Sequence, residues 1–254
     1  MSKRMRSVTG GAPARVKGFE VSYLGGDGVE CRVPLAVAAR VRFEEGRPVR
    51  EFPSYRGQRN YPGLYWSATV GRHVGYESWL ERDHLMALDF DPQVSAVASQ
   101  PLWLFWENSE GKTVSHAPDY FVRSSDGSVL LVDSRPLKRR PARDLEKFEA
   151  TERACAEAGW SYALWGELDP VEVLNLRWLA GYRHQRCFNA EAAGRLREFF
   201  AVPGPLMAGA ESAGDPIAIL PVLFHLMWRQ ELVCDLSVLL GDRTAVRLAG
   251  EGEL

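Results

Sequence analysis

Apolar residues along this chain follow two different periods, and the change between them organises the sequence. "FEVSYL" (19–24) and "CRVPLAVAARVRF" (31–43) alternate apolar and polar side chains, which predicts half-buried strands in an N-terminal hairpin or sheet edge. The stretch 51–71, "EFPSYRGQRNYPGLYWSATVG", is rich in Pro, Gly, Tyr and Arg and predicts a loop with aromatic anchors. "YESWLERDHLMALDF" (76–90) switches to helical spacing, with Trp79, Leu80, Leu85, Met86 and Leu88 as its apolar stripe and Asp91-Pro92 as its stop. On that helix Glu77 and Glu81 lie four apart on one face, and Glu77 reads as solvated.

"VSAVASQ" (94–100) and "PLWLFWEN" (101–108) return to strand character, with Trp103, Phe105 and Trp106 as core or partner surface. "HAPDYFVRSSDGSVLLVDSR" (116–135) predicts a hairpin turned at Asp126-Gly127, since glycine adopts the positive φ of such turns. "ARDLEKFEATERACAEAG" (142–159) predicts a helix ended by Gly159, and "WSYALWG" (160–166) a buried strand.

From about residue 169 the pattern turns helical: 169–183, 189–201 and 214–240, closed by the strand-like "TAVRLAG" (244–250). The expectation is an α/β domain at 18–168, a mixed sheet flanked by helices, preceded by a flexible segment at 1–17. A helical domain at 169–254 follows, whose last helices and short β segment have the order of a helix-turn-helix or winged-helix module.

Composition narrows the function. Lys and Arg number 31 against 33 Asp and Glu, a net charge of -2, so any polyanion site must be a local patch. Cys31, Cys155, Cys187 and Cys234 show no C-x-x-C pairing, which argues against a zinc site and a disulfide framework and favours a reducing cytoplasm. The start carries basic residues with no apolar run behind them, and no segment approaches about 20 uninterrupted apolar residues. The expectation is therefore a cytoplasmic chain without a signal peptide or membrane partner.

Within this frame three acids stand out. Glu81 sits on the predicted helix, Asp119 follows Pro118 at the start of the hairpin, and Asp133 ends its second strand, with Arg135 two residues on and so on the same side of an extended strand. Carboxylates gathered on rigid elements repel one another unless a cation intervenes, and hard oxygen ligands suit Mg²⁺ or Mn²⁺. Such an ion activates water and stabilises a phosphoryl transition state.

Pro118-Asp119 followed by Asp133-Ser134-Arg135 resembles the PD-(D/E)xK nuclease core, with arginine where lysine would stand. Over residues 61–165, "YESWLERDHLMALDFDPQVSAVASQPLWLFW", "HAPDYFVRSSDGSVLLVDSRP" and "DLEKFEATERACAEAGW" make the chain similar to the TnsA-like endonuclease subunit of heteromeric transposases. The resemblance implies a restriction-endonuclease-like fold and a DNA endonuclease that cuts one strand at transposon ends. It brings with it a DDE transposase partner that cuts the other strand and an AAA+ ATPase regulator. It assigns Glu81, Asp119 and Asp133 as ligands of Mg²⁺ or Mn²⁺, with the Ser134 carbonyl completing the set. Arg135 stays charged and cannot act as a base, yet can hold a phosphate bidentately. Two other readings stand beside it: a catalytically inactive subunit that binds DNA or transposase, and a stand-alone nuclease of defence or repair.

Lys138, Arg139, Arg140 and Arg143, with Lys147 on the next helix, form a basic run suited to phosphate contacts or simply to a solvated turn. His116 falls opposite Asp119 on an ideal strand and reads as a core or surface histidine. Gln100, before Pro101, resembles the family's Gln-Pro and reads equally as a backbone-bonding residue or a site contact.

Overall fold

The first two strands, β1 (Glu20–Leu24) and β2 (Glu30–Pro34), pair antiparallel around a turn in which Gly28 takes a φ of 82°. In the computed structural model, which describes residues 18–50, 52, 57–58, 60–138 and 142–250, the strand expected over 31–43 ends at Pro34. The chain then coils into α1 (Leu35–Ala38) and a 3₁₀ turn at Phe43–Glu45. Leu35 and Ala38 are both buried, so the i, i+3 spacing of these residues prevails over the apparent alternation.

The loop expected over 51–71 also holds a strand, β3 (Gly63–Ser67), paired with β4 (Arg72–Tyr76). Its pattern runs against hydropathy, since Ser67 is buried and Leu64 is exposed. Helix α2 (Trp79–Phe90) begins three residues later than expected because Ser78 caps it, which leaves Tyr76 in β4 and Glu77 outside the helix.

Strands β5 (Val94–Ser99), β6 (Trp103–Glu107), β7 (Thr113–His116), β8 (Tyr120–Ser124) and β9 (Val129–Ser134) follow, then α3 (Ala142–Ala158) and β10 (Ser161–Trp165). One sheet is antiparallel, in the order β2-β1-β6-β7. The other, β10-β9-β8-β5, is mixed: its β5, β8 and β9 are antiparallel neighbours, while β10 joins β9 in parallel through the α3 crossover.

The mixed sheet is apolar on both faces. Val97, Tyr120, Val122 and Val132 pack in a cluster with Leu85 and Leu88 of α2. Ala98, Phe121, Val129 and Leu131 pack in another with Ala150, Ala154 and Cys155 of α3 and with Val21 and Leu104 of the antiparallel sheet. The period of two along β9 thus turns Val132 and Ser134 to one face and Leu131 and Asp133 to the other.

The C-terminal part is built from α4 (Pro170–Ala180), α5 (Ala190–Phe199), β11 (Gly204–Pro205), α6 (Leu206–Ala213), α7 (Pro216–Trp228), β12 (Leu232–Val233) and β13 (Ala245–Leu248). Asp169, Asn189 and Asp215 cap α4, α5 and α7, and Pro170 and Pro216 occupy the first helical positions. The helix expected to run to residue 240 ends at Trp228, where Gln230 takes a φ of 56° and β12 begins the small sheet β11-β13-β12. Asn175 holds the segment after β12, donating to the Leu236 and Val238 carbonyls and accepting from Leu240 N–H. The helices share the α2 cluster through Leu176, Leu179 and Met227, and Arg177 binds Asp83 of α2 through two bonds of 2.9 and 2.6 Å. Among the described residues no helix is long and apolar enough to cross a membrane.

Asp89, buried near the end of α2, ties the β3–β4 hairpin to the helix by accepting from Tyr65 Oη, Ser67 Oγ and the Ala68 and Thr69 N–H groups. Asp89→Ala strands all four donors. It is expected to lower the unfolding free energy by roughly 3 kcal/mol, read as a lower urea midpoint at unchanged slope.

Candidate active site

Ser78 sets the position of the first site acid. Its hydroxyl accepts from Glu81 N–H (3.2 Å) and donates to Glu81 Oε1 (2.9 Å), while Glu77 N–H donates to Oε2 (2.7 Å). Ser78-x-x-Glu81 is thus a capping-box pattern, and it places Glu81 in the first turn of α2. Glu81 is nevertheless buried, and burial raises its pKa, with the Glu77 charge adding to the effect. The two hydrogen bonds and the Arg135 guanidinium act against that rise.

Asp119 stands one residue before β8, where the backbone closes on it from two sides. Its carbonyl accepts from Gln100 N–H (2.8 Å) and its Oδ2 from Ser134 N–H (2.7 Å), so the ends of β5 and β9 are both fastened to it. The side chain is buried, and its pKa lies well above the ordinary carboxylate range. Burial is the largest cause, followed by the charges of Asp133 and Glu81; Arg135 and the Ser134 N–H oppose them.

Asp133 has partners that the sequence did not announce. The alternation of β9 carries it to the α3 face, where His116 Nε2–H donates to both carboxylate oxygens (2.8 and 3.0 Å) and the Tyr162 hydroxyl to Oδ2 (2.7 Å). Its charge reaches Asp119, and three hydrogen bonds from these two donors take up most of its acceptor capacity. The charges of Asp133 and Glu81 both act on Asp119, that of Asp133 the more strongly, so the three carboxylates do meet at this strand end, with Asp133 also held by His116 and Tyr162. His116 belongs to β7 rather than to the hairpin, and it is the core histidine its position predicted, with a carboxylate as its partner.

Arg135 follows β9, its N–H donating to the Trp165 carbonyl (2.8 Å) and its Nη1 to the Ser134 carbonyl (3.1 Å). That carbonyl, expected as a ligand, keeps one lone pair free of Arg135. The Ser134 hydroxyl has a role the sequence did not announce. It donates to Nδ1 of His84 (2.8 Å), whose Nε2–H donates to the Gly166 carbonyl (2.7 Å). Burial lowers the His84 pKa, so a neutral ring of one tautomer clamps α2 to the ends of β9 and β10. No motif points to His84, His116 or Tyr162, because each becomes informative only through a strand pairing.

Of the basic run, Lys138 is exposed and Lys147 is partly exposed, 3.9 Å from Asp144. Arg139 and Arg140, and the side chain of Arg143, lie outside the described residues. Cys31, Cys155, Cys187 and Cys234 are all free thiols.

Among the described residues no three His, Cys, Asp or Glu side chains gather as a ready metal cage. The donor set still fits a hard divalent cation. Glu81 and Asp119 offer carboxylate oxygens whose negative form burial disfavours, and positive charge there relieves the repulsion. Near them, Glu77 Oε1 and Gln100 Oε1 are buried acceptors with no hydrogen-bond partner. Compared with models of known protein families and with curated proteins, the chain matches none.

The raised pKa of Asp119 fixes the sign of a pH effect. Its folded form holds a proton more tightly than the unfolded chain, so it opposes folding increasingly as pH rises from about 4 toward the folded pKa. Asp119→Asn keeps an acceptor for Ser134 N–H and removes the charge. It is expected to raise the Tm at pH 7 without divalent cation, with the gain fading below about pH 4, as scanning calorimetry across pH would record.

Proposed function

We propose that the protein is a divalent-cation-dependent DNA endonuclease with a restriction-endonuclease-like core, acting as the TnsA-like subunit of a heteromeric transposase. One observation carries the reading: helix, strand, hairpin, helix and parallel strand follow in the order α2, β5, β8–β9, α3, β10, with Glu81 in the first turn of the helix, Asp119 opening the hairpin and Arg135 closing it. The charges of these three groups act on one another across that strand end.

In this reading Glu81 and Asp119 hold Mg²⁺ or Mn²⁺. The bound ion would supply positive charge to the phosphodiester and activate water for attack. Arg135, fixed in charge, takes the phosphate oxygens and stabilises the charge that develops on them. Asp133 holds its place through His116 and Tyr162 and keeps the field at Asp119 negative. Hydrolysis leaves 5′-phosphate and 3′-hydroxyl ends. Lys138 and Lys147, with Arg139, Arg140 and Arg143, would contact flanking phosphates. The C-terminal helices and small sheet would serve as a winged-helix-like surface for DNA or for the DDE transposase, with an AAA+ ATPase as regulator, in the cytoplasm.

A net charge of -2 fits a subunit that takes much of its DNA affinity from its partners. A second reading, an inactive subunit kept for binding, draws on the engagement of Asp133 by His116 and Tyr162 and on arginine in place of lysine.

Strand-resolved cleavage of end-labelled transposon-end DNA, with the transposase partner and Mg²⁺ or Mn²⁺, separates the two. The expected outcome is a cut by wild type on the strand the partner leaves intact, lost by at least 100-fold in Asp119→Ala and Glu81→Ala and retained in Arg135→Lys. A wild type that makes no such cut, with cutting gained in Arg135→Lys, would establish the binding-only subunit. Cutting without the partner and without regard to transposon ends would establish a stand-alone nuclease.

A further inference from the structure

Among the described residues, most buried polar side-chain atoms without partners belong to residues connected to the two site acids. Among the described residues seven such side-chain atoms occur, and five belong to Arg50, Glu77, Arg82 and Gln100. Hydrogen bonds link most of this group. Arg50 Nη2 donates to Glu77 Oε2 (3.1 Å), Val49 N–H to the Gln100 carbonyl (2.9 Å), and Gln100 N–H to the Asp119 carbonyl (2.8 Å). Glu77 N–H holds Glu81, and Arg82 is the residue after Glu81. The residues that carry the unsatisfied atoms are therefore bonded to the two site acids, or to one another, or lie next to them in the sequence.

Gln100 is the most unusual member. It is 1 % exposed, and neither atom of its amide has a partner. Its φ is 44°, a left-handed conformation that a residue with a Cβ rarely adopts, and it precedes a proline. Gln230 is the other described non-glycine residue with positive φ, and its amide donates to the Phe90 carbonyl at 2.7 Å. Gln100 combines the same backbone conformation with an amide that bonds to nothing, at the end of the strand fastened to Asp119. A buried amide left in this state lowers stability unless something else satisfies it.

We propose that Gln100 is a positioning residue of the cation site, its amide and the free Oε1 of Glu77 receiving the water shell of a divalent cation held by Glu81 and Asp119. This rests on the cation-dependent reading above. Magnesium and manganese keep several waters when bound, and those waters need acceptors fixed in the protein. Gln100 Oε1 and Glu77 Oε1 are such acceptors, buried and unused. Gln100 Nε2 is a donor that steadies a neighbouring oxygen once the site is loaded.

The test uses the full chain and Mn²⁺ alone. Gln100→Met fills the same volume without polar atoms. It is expected to raise the Tm by about 3 °C in the absence of cation, because an unsatisfied amide is removed. It is also expected to weaken Mn²⁺ binding about tenfold in isothermal titration calorimetry. Gln100→Glu, which keeps an acceptor oxygen, restores the affinity. Mn²⁺ affinity of Gln100→Met within twofold of wild type overturns the proposal whatever the Tm, and so does failure of Gln100→Glu to restore binding. If Asp119→Ala loses Mn²⁺ while Gln100→Met keeps it, the cation site stands and only the role of Gln100 falls. If wild type binds no Mn²⁺, both fall together.

Discussion

The single N–H of Ser134, donated to a buried Asp119, is the contact on which the remainder of the site depends. It joins the second strand of the hairpin to the residue that opens the first, and it is one of few interactions that favour negative charge at a position where burial, Asp133 and Glu81 all oppose it. Negative charge in such surroundings is costly, because the sheet around it is apolar on both faces and its nearest charged neighbours include two acids.

The two-residue period of β9 explains how neighbouring residues come to work in separate networks. Ser134 faces α2 and meets His84, whereas Asp133 faces α3 and meets His116 and Tyr162. One strand end thus supplies a neutral clamp to one helix and a charge buried beneath the other. Asp133 acts on Asp119 through its charge while His116 and Tyr162 hold its oxygens.

Much of this was legible in the sequence where period, turn chemistry and order agreed. The hairpin at 120–134, the helix after it and a strand at 161–165 follow from alternation, Asp126-Gly127 and Gly159, though that strand is half-buried at the sheet edge where a buried one was expected. Glu81 lies on the helix and Asp119 at the start of the hairpin, as read. Reading failed where burial and hydropathy part company. Ser67 is inside and Leu64 outside, so β3 resembled a loop; Leu35 and Ala38 are buried at helical spacing inside a run that resembled a strand. The direction of Asp133 could not be read because a strand of unknown pairing has two equivalent faces. Its partners come from β7 and β10, whose neighbours are fixed only in three dimensions. Gln100 carried a dipeptide signal, but its left-handed backbone and idle amide exist only in the fold.

The parallel placement of β10 beside β9 also orders events during synthesis. Asp133 leaves the ribosome 29 residues ahead of Tyr162, and the His84 ring waits 82 residues for the Gly166 carbonyl. Until β10 has been translated, the acid beneath α3 lacks one of its two donors and α2 lacks its clamp. The nascent chain therefore reaches residue 166 before the bonds that hold Asp133 and the His84 ring are complete, and an interrupted polypeptide that stops short of it carries the site's acids without that support.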